Sequence, residues 1–210
     1  MTDLTQALAL SGPDATVTLY RDWAATYDAG FAADMEYRLP AHVAGAFLAA
    51  GGQGPVLDVG AGTGLLAQAL RQMGFEGAVD GLDFSAEMLA QAETKVVYRH
   101  LVQADVTRPL PRERVYNGVT SSGTFTAGHV GPEAFGPMLA VARPGAVFAL
   151  SVNRRVWSGL GFDRALEGLL QAGSIRDLQL IEVEVYGAAA RALDPEHAGD
   201  RAWIVLFRAV

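Results

Sequence analysis

The chain has 210 residues, half of them hydrophobic, with a formal net charge of −7 and no cysteine. This length suits one domain with a sizeable core, and the composition excludes a disordered chain. The acidic balance argues against DNA or RNA as the main partner, the lack of thiols excludes disulfides and thiolate–metal sites and favours a cytoplasmic setting, and no apolar run reaches the roughly 18 residues of a membrane span.

Taken in chain order, the first segment, MTDLTQALALSGPD, has neither the basic region nor the apolar length of an export signal. TVTLYRDWAATYDAGF and RLPAHVAGAFLAAGG then read as helices that cannot form a domain alone, so residues 1–52 are expected to cap the carboxyl edge of a sheet. GPVLDVG is a short buried strand. TGLLAQALRQMG follows as a helix, with Leu66, Leu70 and Met73 at helical spacing and Gly74 as its stop. GAVDGLDF is a second strand, after which Ser85 caps AEMLAQAE with Glu87 in the first turn. VVYRHLVQAD is a third strand, ended by TRPLPRER, and VYNGVTSS a fourth. GPEAFGPMLAVA is a short helix ended by RPG, and GAVFALSVN a fifth strand. Phe162, Leu166, Leu169 and Leu170 mark another helix. LQLIEVEVY and RAWIVLFRA alternate apolar and polar residues, as an antiparallel edge pair does. The alternation of strands and helices predicts an α/β, Rossmann-like three-layer sandwich, with a mostly parallel sheet and a ligand at the carboxyl ends of its strands. A single domain spans 1–210, its core being 53–210.

The turn in VLDVGAGTG carries the strongest signal. A mononucleotide loop needs a lysine for the phosphates, and here Leu65 and Leu66 follow Gly64. A dinucleotide fingerprint needs G-x-G-x-x-G, and Leu65 holds the place of its last glycine, which weakens that reading without removing it. S-adenosylmethionine has no phosphate. Its zwitterionic end suits close backbone approach at Gly60, Gly62 and Gly64, an acid at Asp58, and the free N–H groups of the following helix. A tight turn without a ligand is the remaining alternative. Against it, Asp58, Asp83 and Asp105 end three successive strands, and buried acids need partners.

Together VLDVGAGTG, GLDFSAEML, QADVTRPLP and RPGAVFALSVN resemble a class I S-adenosylmethionine-dependent methyltransferase, over roughly residues 20–152. WAATYDAGF and GTFTAGHVGPEAF are most similar to the Williams–Beuren-region methyltransferase-like proteins. The resemblance implies a seven-stranded sheet with an antiparallel last strand, and S-adenosylmethionine as cofactor with S-adenosylhomocysteine as product. It implies that Gly60, Ala61, Gly62 and Gly64 shape the methionine pocket with Asp58 near the ammonium. Asp83 would take the ribose hydroxyls. Phe84, Met88, Ala104, Asp105 and Val106 would enclose the adenine. Ser121 and Ser122 would line the sulfonium end, and Tyr20, Trp23 and Tyr27 would close over the cofactor. Asn117 stands where the family often has an aspartate.

Methyl transfer requires an acceptor held in line with the sulfur–methyl bond, and a base only where the acceptor carries a proton. Of four histidines, His129 alone lies in the loop leaving the fourth strand, where an acceptor would meet the methyl group. It is the candidate general base, with loop fixation as the alternative. Arg154 and Arg155, after the fifth strand, are candidate clamps for an anionic acceptor. No histidine pair has metal-ligand spacing, so no metal is expected. The loop reads SSGTF and lacks the Asn/Asp-Pro-Pro-aromatic form used on DNA bases. The expected activity is in-line methyl transfer to a heteroatom, with a small-molecule methyl acceptor as partner and neither nucleic acid nor membrane. The alternatives are a nicotinamide-dependent oxidoreductase and a non-catalytic cofactor-binding protein.

Overall fold

The computed structural model describes residues 27–110 and 115–210. A π-helical turn at Asp28–Ala32 leads to α1 (Leu39–Ala49). Then follow β1 (Val56–Val59), α2 (Leu65–Gln72), β2 (Val79–Asp83), α3 (Ala86–Thr94), β3 (His100–Gln103) and β4 (Tyr116–Phe125). A 3₁₀ turn at Pro132–Ala134 enters α4 (Phe135–Val141), followed by β5 (Ala142–Asn153), α5 (Phe162–Gln171), β6 (Ile175–Glu184), α6 (Ala190–Leu193) and β7 (Arg201–Ala209). The seven strands form one sheet in the order β3-β2-β1-β4-β5-β7-β6, parallel from β3 to β5 and antiparallel at β7. This is the Rossmann-like architecture the alternation predicts. β7 is inserted between β5 and the exposed edge strand β6. The order reverses between β1 and β4, which opens a crevice at their carboxyl ends.

Strand periodicity builds the three layers. On β5, Val147 and Ala149 face one side of the sheet and Phe148 and Leu150 the other; on β7, Ile204 and Leu206 oppose Val205 and Phe207. The first set packs on α1 and α2 through Val43, Phe47, Leu66 and Leu70. The second packs on α4 and α5 through Phe135, Met138, Phe162 and Leu166. Phe148 and Phe207 stack at 4.6 Å. Each such fully buried side chain contributes about 1.5–3 kcal/mol.

Three local departures from the sequence pattern have identifiable causes. The third strand is only four residues long, because Val96 has φ +55° and the segment before β3 sends Tyr98 to Asp58 and Arg99 to Asp80. The RPG segment begins β5 as an irregularity in its pairing with β4, with Gly145 at φ +82°. The third concerns the cap. α1, expected with residues 1–52 over the carboxyl edge, lies on the sheet, because Val43, Ala44 and Phe47 form an apolar stripe that is fully buried there. Of the described residues up to Ala49, only Tyr27, Tyr37 and Pro40 reach the carboxyl-edge cleft.

Candidate active site

A cleft of about 380 Å³ opens at the carboxyl edge, beside the switch point. One wall begins at the turn after β1. Gly60, Gly62 and Gly64 have φ of +66°, +54° and +92°, the left-handed region in which a side chain is strained. A Cβ at Gly60 would run into Thr124, whereas the space beside Gly62 is open. The turn thus brings bare backbone to the cleft and delivers the chain into α2 at Leu65, with no side chain capping its first N–H groups.

Asp83 fastens that turn. Its Oδ2 accepts the Gly62 N–H at 2.8 Å and its Oδ1 the Ser85 N–H at 2.8 Å. Burial nevertheless raises its carboxyl above the ordinary value, with these hydrogen bonds opposing the shift. Ser85 caps α3 as expected, its hydroxyl accepting the Met88 N–H at 3.1 Å. Phe84 is 48 % exposed, an aromatic face turned out at the cleft wall. Ala104, Asp105 and Val106 continue the wall after β3. Asp105 accepts from the backbone and hydroxyl of Thr107, which hold its carboxyl below the ordinary range.

The far wall comes from β4 and the loop behind it. Between Ser121 and Phe125 the pairing with β5 slips, and Gly123 has φ +78°. This bulge turns Ser122, Gly123 and Thr124 toward the cleft. Tyr37 reaches over Gly123, closely enough that a Cβ there would strike its hydroxyl. Burial pushes the Tyr37 phenol up to about 12, so it stays protonated. Gly128, His129, Val130 and Glu133 complete this wall. The His129 Nδ1 lies 2.8 Å from the Ala127 carbonyl. A carbonyl only accepts, so Nδ1 carries the proton and Nε2 of the neutral ring carries the lone pair. Burial lowers the imidazole below its ordinary value, with the Ala127 contact opposing the shift, and the ring is neutral at pH 7.

The structure brings Tyr27, Gly60, Ala61, Gly62, Asp83, Phe84, Met88, Ala104, Asp105, Val106, Ser122 and His129 to one cleft. Five other candidates stand elsewhere. Gly64 is packed against the Tyr98 ring, where its conformation serves the turn. Ser121 is buried, its hydroxyl donating to the Val59 carbonyl at 2.7 Å. Asp58 is fully buried behind the turn, accepting the Tyr98 hydroxyl at 2.7 Å. Arg154 and Arg155 fail as anion clamps. Arg154 pairs with Glu182 on β6, and Arg155 donates to Asp200 at 2.7 Å and to the Glu196 carbonyl at 2.8 Å, so both charges are spent in holding the β6–β7 corner. Tyr20 and Trp23 lie outside the described residues. Sequence reasoning missed Tyr37, Thr124 and Glu133. Gly123, read from sequence as the start of the loop, lies inside β4 and marks the bulge that brings them together. Among the described residues no cluster of histidine and carboxylate is arranged to hold a metal ion, and no helix is long and apolar enough to cross a membrane.

Comparison with known proteins decides the family. The methyltransferase domain family matches residues 56–145, and human Methyltransferase-like protein 27 is 34% identical over 187 residues, covering 84% of this chain and 74% of that protein. The chain belongs to the class I S-adenosylmethionine-dependent methyltransferases. With that membership the nicotinamide alternative falls. Solved structures share the methyltransferase fold at low identity. The structure reported for conversion of a disulfide bond into a thioacetal group during echinomycin biosynthesis has a TM-score of 0.57 at 23% identity, with 79% of this chain and 80% of that one covered. Phosphoethanolamine N-methyltransferase 2 of Haemonchus contortus, solved with phosphomonomethylethanolamine and S-adenosylhomocysteine, has a TM-score of 0.54 at 14% identity, covering 75% of this chain and 48% of that one. The methyltransferase cleft suits the family's cofactor. It offers bare glycine backbone and an exposed aromatic face, and Asp58, buried behind the turn and outside the cleft lining, keeps an Oδ1 with no hydrogen-bond partner.

Proposed function

We propose that this methyltransferase acts on a heteroatom of a small molecule in the cytoplasm, with His129 as general base. When bound, S-adenosylmethionine supplies the electrophilic methyl group. Asp83 retains lone pairs for the ribose hydroxyls beyond those used by Gly62 and Ser85, and Phe84 offers a face to the adenine beside Met88, Ala104, Asp105 and Val106. Gly60, Ala61 and Gly62 receive the amino-acid end. Ser122 lies toward the sulfonium, and Tyr27 closes over it. Among the described cleft residues there is no lysine or arginine, which favours a neutral or amine acceptor over a carboxylate or phosphate. The acidic chain disfavours a nucleic acid. Similarity to Methyltransferase-like protein 27 supports a place among the Williams–Beuren-region methyltransferase-like proteins.

The observation that carries this reading is the His129 ring in the same cleft as the glycine turn, its Nδ1 proton fixed on Ala127. Nε2 is then the atom that takes the proton of an acceptor hydroxyl as the new bond forms, or that of an ammonium before its nitrogen attacks. The test is incubation with methyl-labelled cofactor and cell extract, followed by separation of small molecules from protein and nucleic acid. Label is expected in the small-molecule fraction, and His129→Ala and His129→Gln are both expected to lower turnover by roughly 10²–10⁴-fold with cofactor affinity within a few-fold. Label confined to protein overturns the acceptor class. No label with any extract favours the non-catalytic alternative. An active His129→Gln enzyme makes His129 a loop-orienting residue.

A further inference from the structure

We propose that Tyr98 is a positioning residue for the cofactor. Its phenol holds one oxygen of Asp58 so that the other serves as the anionic partner of the ammonium on the cofactor's amino-acid end. The inference rests on the cofactor reading above and adds a residue that neither the glycine motif nor the cleft wall contains.

Three observations carry it. Asp58 is 0 % exposed, yet only Oδ2 is satisfied, by the Tyr98 hydroxyl at 2.7 Å, while the buried Oδ1 has no hydrogen-bond partner. A buried carboxylate oxygen left in this way costs free energy unless something meets it. Second, the Tyr98 ring is wedged where only glycines leave room. A Cβ at Gly64 would come 3.1 Å from the ring and one at Gly81 2.9 Å from it. The ring therefore underlies the cofactor turn and β2 together. Third, among the described residues no basic group neutralises Asp58. Asp83 on β2 adds negative charge, and the Thr120 side chain at the paired position of β4 has a buried hydroxyl without a partner. Arg71 on α2 is committed to the carbonyls of Phe75, Gly77 and Val97, and Lys95 beyond α3 pairs with Asp28 at 2.5 Å. The bare oxygen beneath the turn calls for a cation, and the amino-acid end of the cofactor brings one.

Burial and the Asp83 charge act on this acid in one direction and the Tyr98 hydroxyl in the other. Burial pushes the Asp58 carboxyl up to about 7, and the Tyr98 hydrogen bond opposes that rise. Burial holds the phenol well above the usual tyrosine value, with the Asp58 charge adding to the effect, so the phenol remains a donor. Tyr98→Phe keeps the ring on Gly64 and Gly81 and deletes only the hydroxyl.

The experiment is calorimetric titration of wild type and Tyr98→Phe with two probes across pH 6–8.5. S-adenosylhomocysteine carries the ammonium; 5′-methylthioadenosine has the same adenosine thioether without the amino-acid end. The expected result for Tyr98→Phe is roughly ten-fold weaker S-adenosylhomocysteine binding at pH 7, with 5′-methylthioadenosine affinity within two-fold. The acid limb of the S-adenosylhomocysteine profile should move up by about one pH unit. Equal weakening of both probes, or no change in either, overturns the assignment. Asp58→Asn, which keeps the shape and removes the charge, serves where Tyr98→Phe does not fold. It should flatten the pH profile for S-adenosylhomocysteine alone, and an unchanged profile overturns the assignment. Wild-type protein that binds neither probe overturns the cofactor reading itself, and the Tyr98 assignment with it.

Discussion

Asp80 and Asp58 lie on neighbouring strands of one sheet, both buried, and the fold treats them in opposite ways. Asp80 receives Arg99 through Nε at 2.9 Å and Nη2 at 2.7 Å, and the Tyr116 hydroxyl at 2.9 Å. Burial alone would raise its carboxyl, but the Arg99 and Tyr116 hydrogen bonds outweigh burial and hold it below the ordinary value. Asp58, nearer the carboxyl edge, receives one phenol and no cation, and its carboxyl rises to about 7. A carboxylate satisfied within the chain is part of the scaffold. One left with a bare oxygen behind the glycine turn is, in the proposed reading, charge held in reserve for the cofactor. The amino end of the sheet is closed chemistry and the carboxyl end is open chemistry.

The largest effect expected from this contrast is at the closed end. Asp80→Ala removes a bidentate ion pair and a hydroxyl bond, and should lower unfolding free energy in urea by roughly 3 kcal/mol. Arg99 is 41 % exposed and regains water, which keeps the loss below that of a fully buried pair. Cofactor affinity should hold in the folded variant. Equal losses of affinity and stability would break the contrast.

Asp83 lies between the two extremes. From sequence alone, Asp83→Ala is expected to weaken cofactor binding and spare the ligand-free fold. Because Asp83 also fastens Gly62 and Ser85, the structure instead leads to losses in both. Affinity should fall by roughly 1.5–3 kcal/mol, and ligand-free stability by about 1 kcal/mol. Calorimetry and thermal melting of the same preparation separate the two. An unchanged melting temperature would make Asp83 a ligand contact only.

The smallest effect carries the clearest sign. Asp58 has a folded-state value raised above its unfolded one. The stability it contributes is therefore complete below pH 4 and is lost as pH rises toward about 7. Asp80 is lowered, so its contribution is present above the ordinary carboxyl value and lost in stronger acid. Asp83 is raised and adds to the Asp58 trend. Urea unfolding of Asp58→Asn between pH 5 and 8 should show a flatter decline than wild type. A decline unchanged from wild type would mean that Asp58 is already ionised in the free protein.

The carboxyl-edge turn was legible in sequence because glycine spacing states backbone geometry directly. VLDVGAGTG, GLDF and QAD each fall at a strand end, and strand ends share one edge in a parallel sheet. The layers were legible for the same reason, since the period of two in RAWIVLFRA specifies both faces of β7. The far wall of the cleft was hidden. Tyr37, Gly123 and Glu133 meet only through a bulge and a long chain reversal, and neither leaves a periodic signal. Arg154 and Arg155 misled because their partners, Glu182 and Asp200, belong to strands and loops that pair with β5 only after the chain returns. Strand-end position told where these charges lie along the sheet, but not which neighbour neutralises them.

The central claim is that Asp58 is the counter-charge kept open for the cofactor. Its most direct test is S-adenosylhomocysteine affinity of the wild-type protein at pH 6 and pH 8, measured by calorimetry with proton uptake from buffers of different ionisation heat. With the free acid titrating near 7 and ionised in the complex, binding should be about ten-fold tighter at pH 8 and should release a proton at pH 6. Equal affinity at the two values with no proton release would contradict it.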